Sequence, residues 1–103
     1  MYVLNIWHTV PDYAEWKQAF DSDPLGRETS GVRRYSIERP VDDEHMVVGH
    51  LEFDSLGEAE TFAGRLRELW NGLGSQIVSN AGQTITEVLE QKQSVSESGR
   101  RAA

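Results

Sequence analysis

Residues 45–53, HMVVGHLEF, are apolar at both alternating sets of positions: Val47, Leu51 and Phe53 on one, Met46 and Val48 on the other. Branched and aromatic residues in a short run of this kind read as a β-strand covered on both faces. Ser55 and Glu58 then form a capping-box pattern. Behind them Leu56, Ala59, Phe62, Ala63, Leu66, Leu69, Trp70 and Leu73 keep a 3.6-residue period, the surest helix of the chain. A strand feeding an amphipathic helix leaves one sheet face under that helix and the other in need of a second cover.

Working outward, Val32 to Arg39 (VRRYSIER) reads as a strand closed by Pro40, and the acidic turn Val41-Asp42-Asp43-Glu44 joins it to the 45–53 strand as a hairpin. Ser22 to Gly31 (SDPLGRETSG) has loop chemistry throughout. Before it, Asp12 and Glu15 open a helix with Tyr13, Trp16 and Phe20 on one face, ending near Asp21 ahead of Pro24 and Gly26. Tyr2 to Thr9 is the first strand, stopped by Pro11. After the long helix, Gly72 and Gly74 mark an end, a short irregular stretch follows, and Gln83 to Glu90 (QTITEVLE) is the expected last strand. The order is β-α-β-β-α-β, one α+β domain over residues 1–90. Residues 91–103 form a polar tail with Val95 as its single large apolar residue.

Two helices cover only one face of a four-stranded sheet, yet the first strand is also apolar on both sides, with Tyr2, Leu4 and Ile6 opposite Val3 and Trp7. An uncovered apolar patch of that size predicts a two-fold contact with a second copy of the chain.

The 103 residues suit one domain, and 38% hydrophobic with 26% charged residues is a globular composition. The net charge is −7, and because Lys92, Arg100 and Arg101 lie in the tail against Glu97 alone, the body is more acidic still. Arg33 and Arg34, its one basic pair, point to opposite faces of a strand. No basic stripe for phosphate exists, so nucleic acid and membrane are not expected partners. There is no cysteine, which excludes disulfides and thiolate metal sites. With no basic leader and no long apolar segment, the expected location is cytoplasmic. HExxH, Walker, GxSxG, GxGxxG and EF-hand patterns are all missing.

The element order, the helix opening Asp12-Tyr13-Ala14-Glu15-Trp16, the stretch Gly31-Val32-Arg33-Arg34-Tyr35, and Leu51-Glu52-Phe53-Asp54-Ser55 leading into a helix together resemble the dimeric α+β barrel superfamily. Within it, the chain is most similar to the small antibiotic-biosynthesis-monooxygenase-like proteins. The resemblance covers residues 1–90 and lies in hydrophobicity and turns rather than in a signature. It implies a ferredoxin-like βαββαβ fold, with a four-stranded antiparallel sheet, two helices on one face, and two sheets paired into a barrel. Activities in the superfamily range from cofactor-free oxygenation through haem chemistry and isomerisation to no known reaction. The haem-degrading branch carries an Asn on the first strand, a Trp in the second helix and a His beyond it. Here Asn5 matches the first, Phe62 stands in for the second, and no His follows His50, so no cofactor is expected.

Strand parity gathers a polar set. If Leu4, Ile6, Leu51 and Phe53 face the helices, then Asn5, Trp7, Thr9, His50 and Glu52 share the opposite face. His50 is the candidate acid or base, Glu52 its orienting carboxylate, and Asn5 with the Trp7 indole N–H a holder of substrate oxygen. The competing reading makes Asn5 and His50 hydrogen-bonded interior or interface residues and Glu52 solvated. Phe62 and Trp70 are core residues that can also line a cavity, and Tyr35 is open to either face. His8 reads as a strand-end residue beside Pro11, Arg27 and Glu28 as exposed loop charges at a ligand mouth, and His45 beside Asp42, Asp43 and Glu44 as a solvated hairpin tip rather than a metal site. The expected function is a small-molecule-binding homodimer, with cofactor-independent monooxygenation of an aromatic or polyketide-like substrate as its activity. The alternatives are a non-enzymatic stress-related or structural dimer with a filled interior, and an isomerase or cyclase using His50 as base.

Overall fold

The computed structural model describes residues 1–73 and 78–92. Its elements are β1 (Tyr2–Thr9), α1 (Tyr13–Asp21), β2 (Arg34–Glu38), β3 (Met46–Phe53), α2 (Leu56–Leu73) and β4 (Ser79–Glu87). All strand pairs are antiparallel and the sheet order is β2-β3-β1-β4. The two most apolar strands, β1 and β3, therefore occupy the centre, where each is hydrogen-bonded on both edges. Most of the expected tail, residues 93–103, lies outside the described residues, as do residues 74–77 of the expected irregular stretch.

Both helices start as their side chains dictate. Asp12 caps α1 by accepting the Glu15 N–H at 3.2 Å, and the Ser55 hydroxyl accepts the Glu58 N–H at 3.0 Å ahead of α2. They cover the same sheet face. Leu4, Ile6, Leu51 and Phe53 pack beneath Ala59, Phe62, Ala63 and Leu66 of α2, while Trp16 of α1 packs on Val10 and Val47. Burial along β3 alternates strictly, with Val47, Gly49, Leu51 and Phe53 inward. Gly49 is inward because the Ile6 side chain fills its place: a Cβ there would sit 2.9 Å from Ile6 Cγ1.

Two strand boundaries differ from expectation. β2 begins at Arg34 rather than Val32, because Val32 turns inward to the core, although the Arg33 N–H still donates to Glu52 O at 2.8 Å. β4 runs over Ser79–Glu87 rather than 83–90. Ser79, Asn80, Ala81 and Gly82 are weak strand formers, and pairing with β1 overrides that weakness. Gly82 opposes Trp7, whose indole occupies the space a Cβ would need, and the register shifts between Trp7 and Thr9.

The 22–33 loop is folded back by residues in left-handed backbone, Asp23 (φ 55), Gly26 (φ 60) and Gly31 (φ 101). The Val32 N–H donates to Arg27 O and the Ser30 N–H to Gly26 O. This turn chemistry carries Leu25 and Arg27 over the open end of the α1–α2 layer, where they border the site described next. Among the described residues, no helix is long and apolar enough to cross a membrane.

Candidate functional site

The side chains of the helix-facing layer do not fill it. A cavity of about 220 Å³ lies between the sheet and the helices. Ile6 and Leu51 form its floor, Trp16 and Phe20 of α1 one wall, and Phe62, Leu66, Leu69 and Trp70 of α2 the other. Asp23, Leu25 and Arg27 border it from the loop. His8 also lines it. On β1, His8 shares the parity of Leu4 and Ile6, so it points into the helix layer and is only 1% exposed. The rings of Trp16 and Trp70 flank it, with centroids 5.3 and 5.4 Å away. Among the described residues, neither ring nitrogen has a hydrogen-bond partner. Burial without a compensating charge pushes its pKa down from 6.5 to about 4, so His8 is a neutral imidazole at physiological pH.

Arg27, expected as an exposed charge, is mostly covered. Its guanidinium lies 4.0 Å above the Phe20 ring and 5.0 Å from that of Tyr35, while Nη1 donates to Phe20 O at 2.8 Å and stands 3.4 Å from Asp23 Oδ1. Tyr35 meets Phe20 edge-on at 5.3 Å, so it faces the helices, at the rim of the layer and 44% exposed.

The polar set of the other parity is assembled on the opposite face. Asn5 and His50 are paired across β1 and β3, and His50 Nδ1 lies 2.8 Å from Asn5 Oδ1. The Asn5 amide orientation is set by its Nδ2, whose two hydrogens are shared among Val3 O, Thr84 O and Thr86 Oγ1 at 3.1–3.2 Å. His50 Nε2 lies 3.1 Å from Glu38 Oε1. Both ring nitrogens thus lie against side-chain oxygens on this face, and neither points into the cavity. Glu52 does not orient His50; it pairs with Arg34 at 3.1 and 3.2 Å, while Glu38 supplies the carboxylate beside the imidazole. Trp7 lies over Gly82 and is 38% exposed.

The sheet therefore separates the candidates. Phe62 and Trp70 line the cavity, Tyr35 stands at its margin, and Asn5, Trp7, His50 and Glu52 lie on the far side of the sheet. Asn5 and Phe62, the pair matched to the haem-degrading pattern, cannot touch one ligand. The residue missed was His8. Its shared parity with Leu4 and Ile6 was the available signal, and proximity to Pro11 masked it. His45 is exposed at the hairpin, and among the described residues no cluster of His, Asp and Glu is placed to hold a metal ion.

No protein-family model matches the sequence, and a search of curated proteins finds no match. Solved structures do match. A Deinococcus radiodurans protein provisionally assigned as an antibiotic biosynthesis monooxygenase aligns over 93% of this chain and 100% of its own, at 15% identity and a TM-score of 0.72. An N63A mutant of SnoaB, a cofactor-independent oxygenase from Streptomyces nogalater, aligns over 87% and 94%, at 15% identity and 0.67. The haem degrader MhuD of Mycobacterium tuberculosis, with two haems in its active site, aligns over 90% and 100%, at 18% identity and 0.65. Haem does not fit the present cavity. At about 220 Å³ it is smaller even than drug-sized sites of roughly 300–1,000 Å³, and His8 is its one imidazole. At these identities the likeness is one of fold: the chain has the ferredoxin-like α+β fold of the antibiotic-biosynthesis-monooxygenase-like proteins.

Proposed function

We propose that this chain is a homodimeric protein that binds a small, flat, largely apolar molecule in the cavity between sheet and helices, and that the bound molecule is oxygenated there without a cofactor. The carrying observation is the lining: Trp16, Phe20, Phe62 and Trp70 offer aromatic walls to a ring system, with polar groups confined to His8 and the loop border. The volume suits one or two fused rings rather than a large polyketide. In cofactor-free oxygenation the electrons come from the substrate. An electron-rich hydroxyaromatic gives four electrons to dioxygen: a ring C–H and a hydroxyl O–H are broken, one oxygen atom becomes a quinone carbonyl on that ring carbon, and the other leaves with the two hydrogens as water. Such a reaction asks of the protein an apolar place that holds the ring, and the likeness to SnoaB supports this reading.

The dimer follows from the other face of the sheet. Val3, Trp7, Met46 and Val48 are part-exposed there around the Asn5–His50–Glu38 network, and a second sheet would cover them as in the superfamily the sequence resembles. That assigns Asn5 and His50 to an interface. A base at His50 acting in the cavity, as the isomerase or cyclase alternative needs, is on the wrong side of the sheet.

A binder without chemistry is the second reading, favoured by the weak basicity of His8. The experiment that separates them measures dioxygen uptake with dihydroxynaphthalenes whose binding is first established by equilibrium dialysis. Uptake above the protein-free rate, lost in Trp70→Ala, is the expected result. Bound ligand with no uptake leaves only the binder, and no binding removes both.

A further inference from the structure

The position of His8 is not accounted for by packing. Its neighbours on the same face of β1 are Leu4 and Ile6, and its surroundings are the indoles of Trp16 and Trp70. An aliphatic residue would fill such a place without leaving a polar atom unpartnered. A buried imidazole has one donor and one acceptor, and here both lack partners among the described residues. Water is a poor substitute, because a held water needs two to four polar partners and the cavity wall beside His8 is aromatic and aliphatic.

We infer that His8 is the specificity-determining group of the cavity, a hydrogen-bonding post that selects an aromatic ligand bearing a hydroxyl over the same ring system without one. This rests on the proposed cavity binding and deepens it. A hydroxyl suits the site because it can donate to the bare imidazole nitrogen or accept from the protonated one, so either tautomer is met. A carboxylate does not suit it, since the one cationic side chain, Arg27, is at the loop border and is engaged with Phe20 O and Asp23. Sites built to hydrogen-bond a hydroxyl discriminate against analogues that lack it, because the protein's own polar group is then left unpaired.

The test compares 2-naphthol with naphthalene by equilibrium dialysis, on the full chain and on His8→Phe. The wild type should prefer 2-naphthol by about tenfold. His8→Phe should bind naphthalene at least as well and lose the preference. The ring ¹⁵N resonances of His8, assigned as those lost in His8→Phe, should move with 2-naphthol and not with naphthalene, a readout that does not depend on what the variant binds. Equal binding of both probes by the wild type, a preference that survives in His8→Phe, or unmoved nitrogen resonances on 2-naphthol binding would overturn the role of His8 while leaving the cavity reading intact. Binding of neither probe would overturn both.

Discussion

Acid should destabilise this protein through His8 in a way that a single substitution abolishes. In the folded chain the imidazole titrates near 4, against 6.5 when exposed. Between those values the unfolded state binds a proton that the native state does not, so stability rises with pH across this window. The contribution is complete above about pH 6.5, falls as pH drops from 6.5 to 4, and is constant below. At about 1.4 kcal/mol per pH unit, the full window amounts to roughly 3 kcal/mol, a large share of the roughly 5–15 kcal/mol typical of a domain. The assay is urea unfolding of wild type and His8→Phe at pH 7.5, 6, 5 and 4.5, at one protein concentration because the stability of the proposed dimer would depend on it. Every other group is common to the two proteins, so its effect cancels in the difference. The advantage of His8→Phe over wild type should grow by about 2–3 kcal/mol from pH 7.5 to 4.5. A difference that stays flat with pH would refute the reasoning, because it would mean that His8 has a partner or water that keeps its pKa ordinary.

Two other perturbations test the loop and the open sheet face. Gly31→Ala places a Cβ on a backbone with φ 101, within 2.7 Å of the Glu58 carboxyl carbon; the cost should be about 1–3 kcal/mol in urea unfolding, and a loss below about 0.5 kcal/mol would contradict the left-handed turn. Trp7→Glu puts a charge on the sheet face that carries the part-exposed Val3, Met46 and Val48, so sedimentation velocity at micromolar concentration should show the dimer proposed for the wild type giving way to monomer. An unchanged sedimentation coefficient would show that this face is not where two copies meet.

The fold was legible because each element carries its own periodic signal and the signals agree. β3 and α2 are unambiguous by alternation and by a 3.6-residue repeat, and Asp12 and Ser55 announce the helix starts that the structure shows. β4 was displaced by four residues at its start because its first half, Ser79 to Gly82, has no strand character of its own. What makes those residues a strand is the neighbouring β1, including an indole that needs a glycine opposite it, and such pairing is not a local property of the sequence.

The candidate site shows a different limit. Parity correctly divided β1 and β3 into two faces, and the structure keeps Asn5, Trp7, His50 and Glu52 together on one of them. Polar residues drew the site to that face, yet a cavity forms where side chains fail to meet, and the failure here is on the apolar side. Whether Trp16, Phe20, Phe62 and Trp70 close on one another depends on how far the helices stand from the sheet, a distance that no spacing rule encodes. The polar groups of the other face have one another as partners: His50 lies between Asn5 and Glu38, and Arg34 pairs with Glu52. Satisfied polar groups stabilise a structure, whereas an unsatisfied one in a cavity has capacity left for a ligand. By that criterion His8 rather than His50 is the residue proposed to meet a ligand, although strand parity and residue type alone rank the two imidazoles the other way.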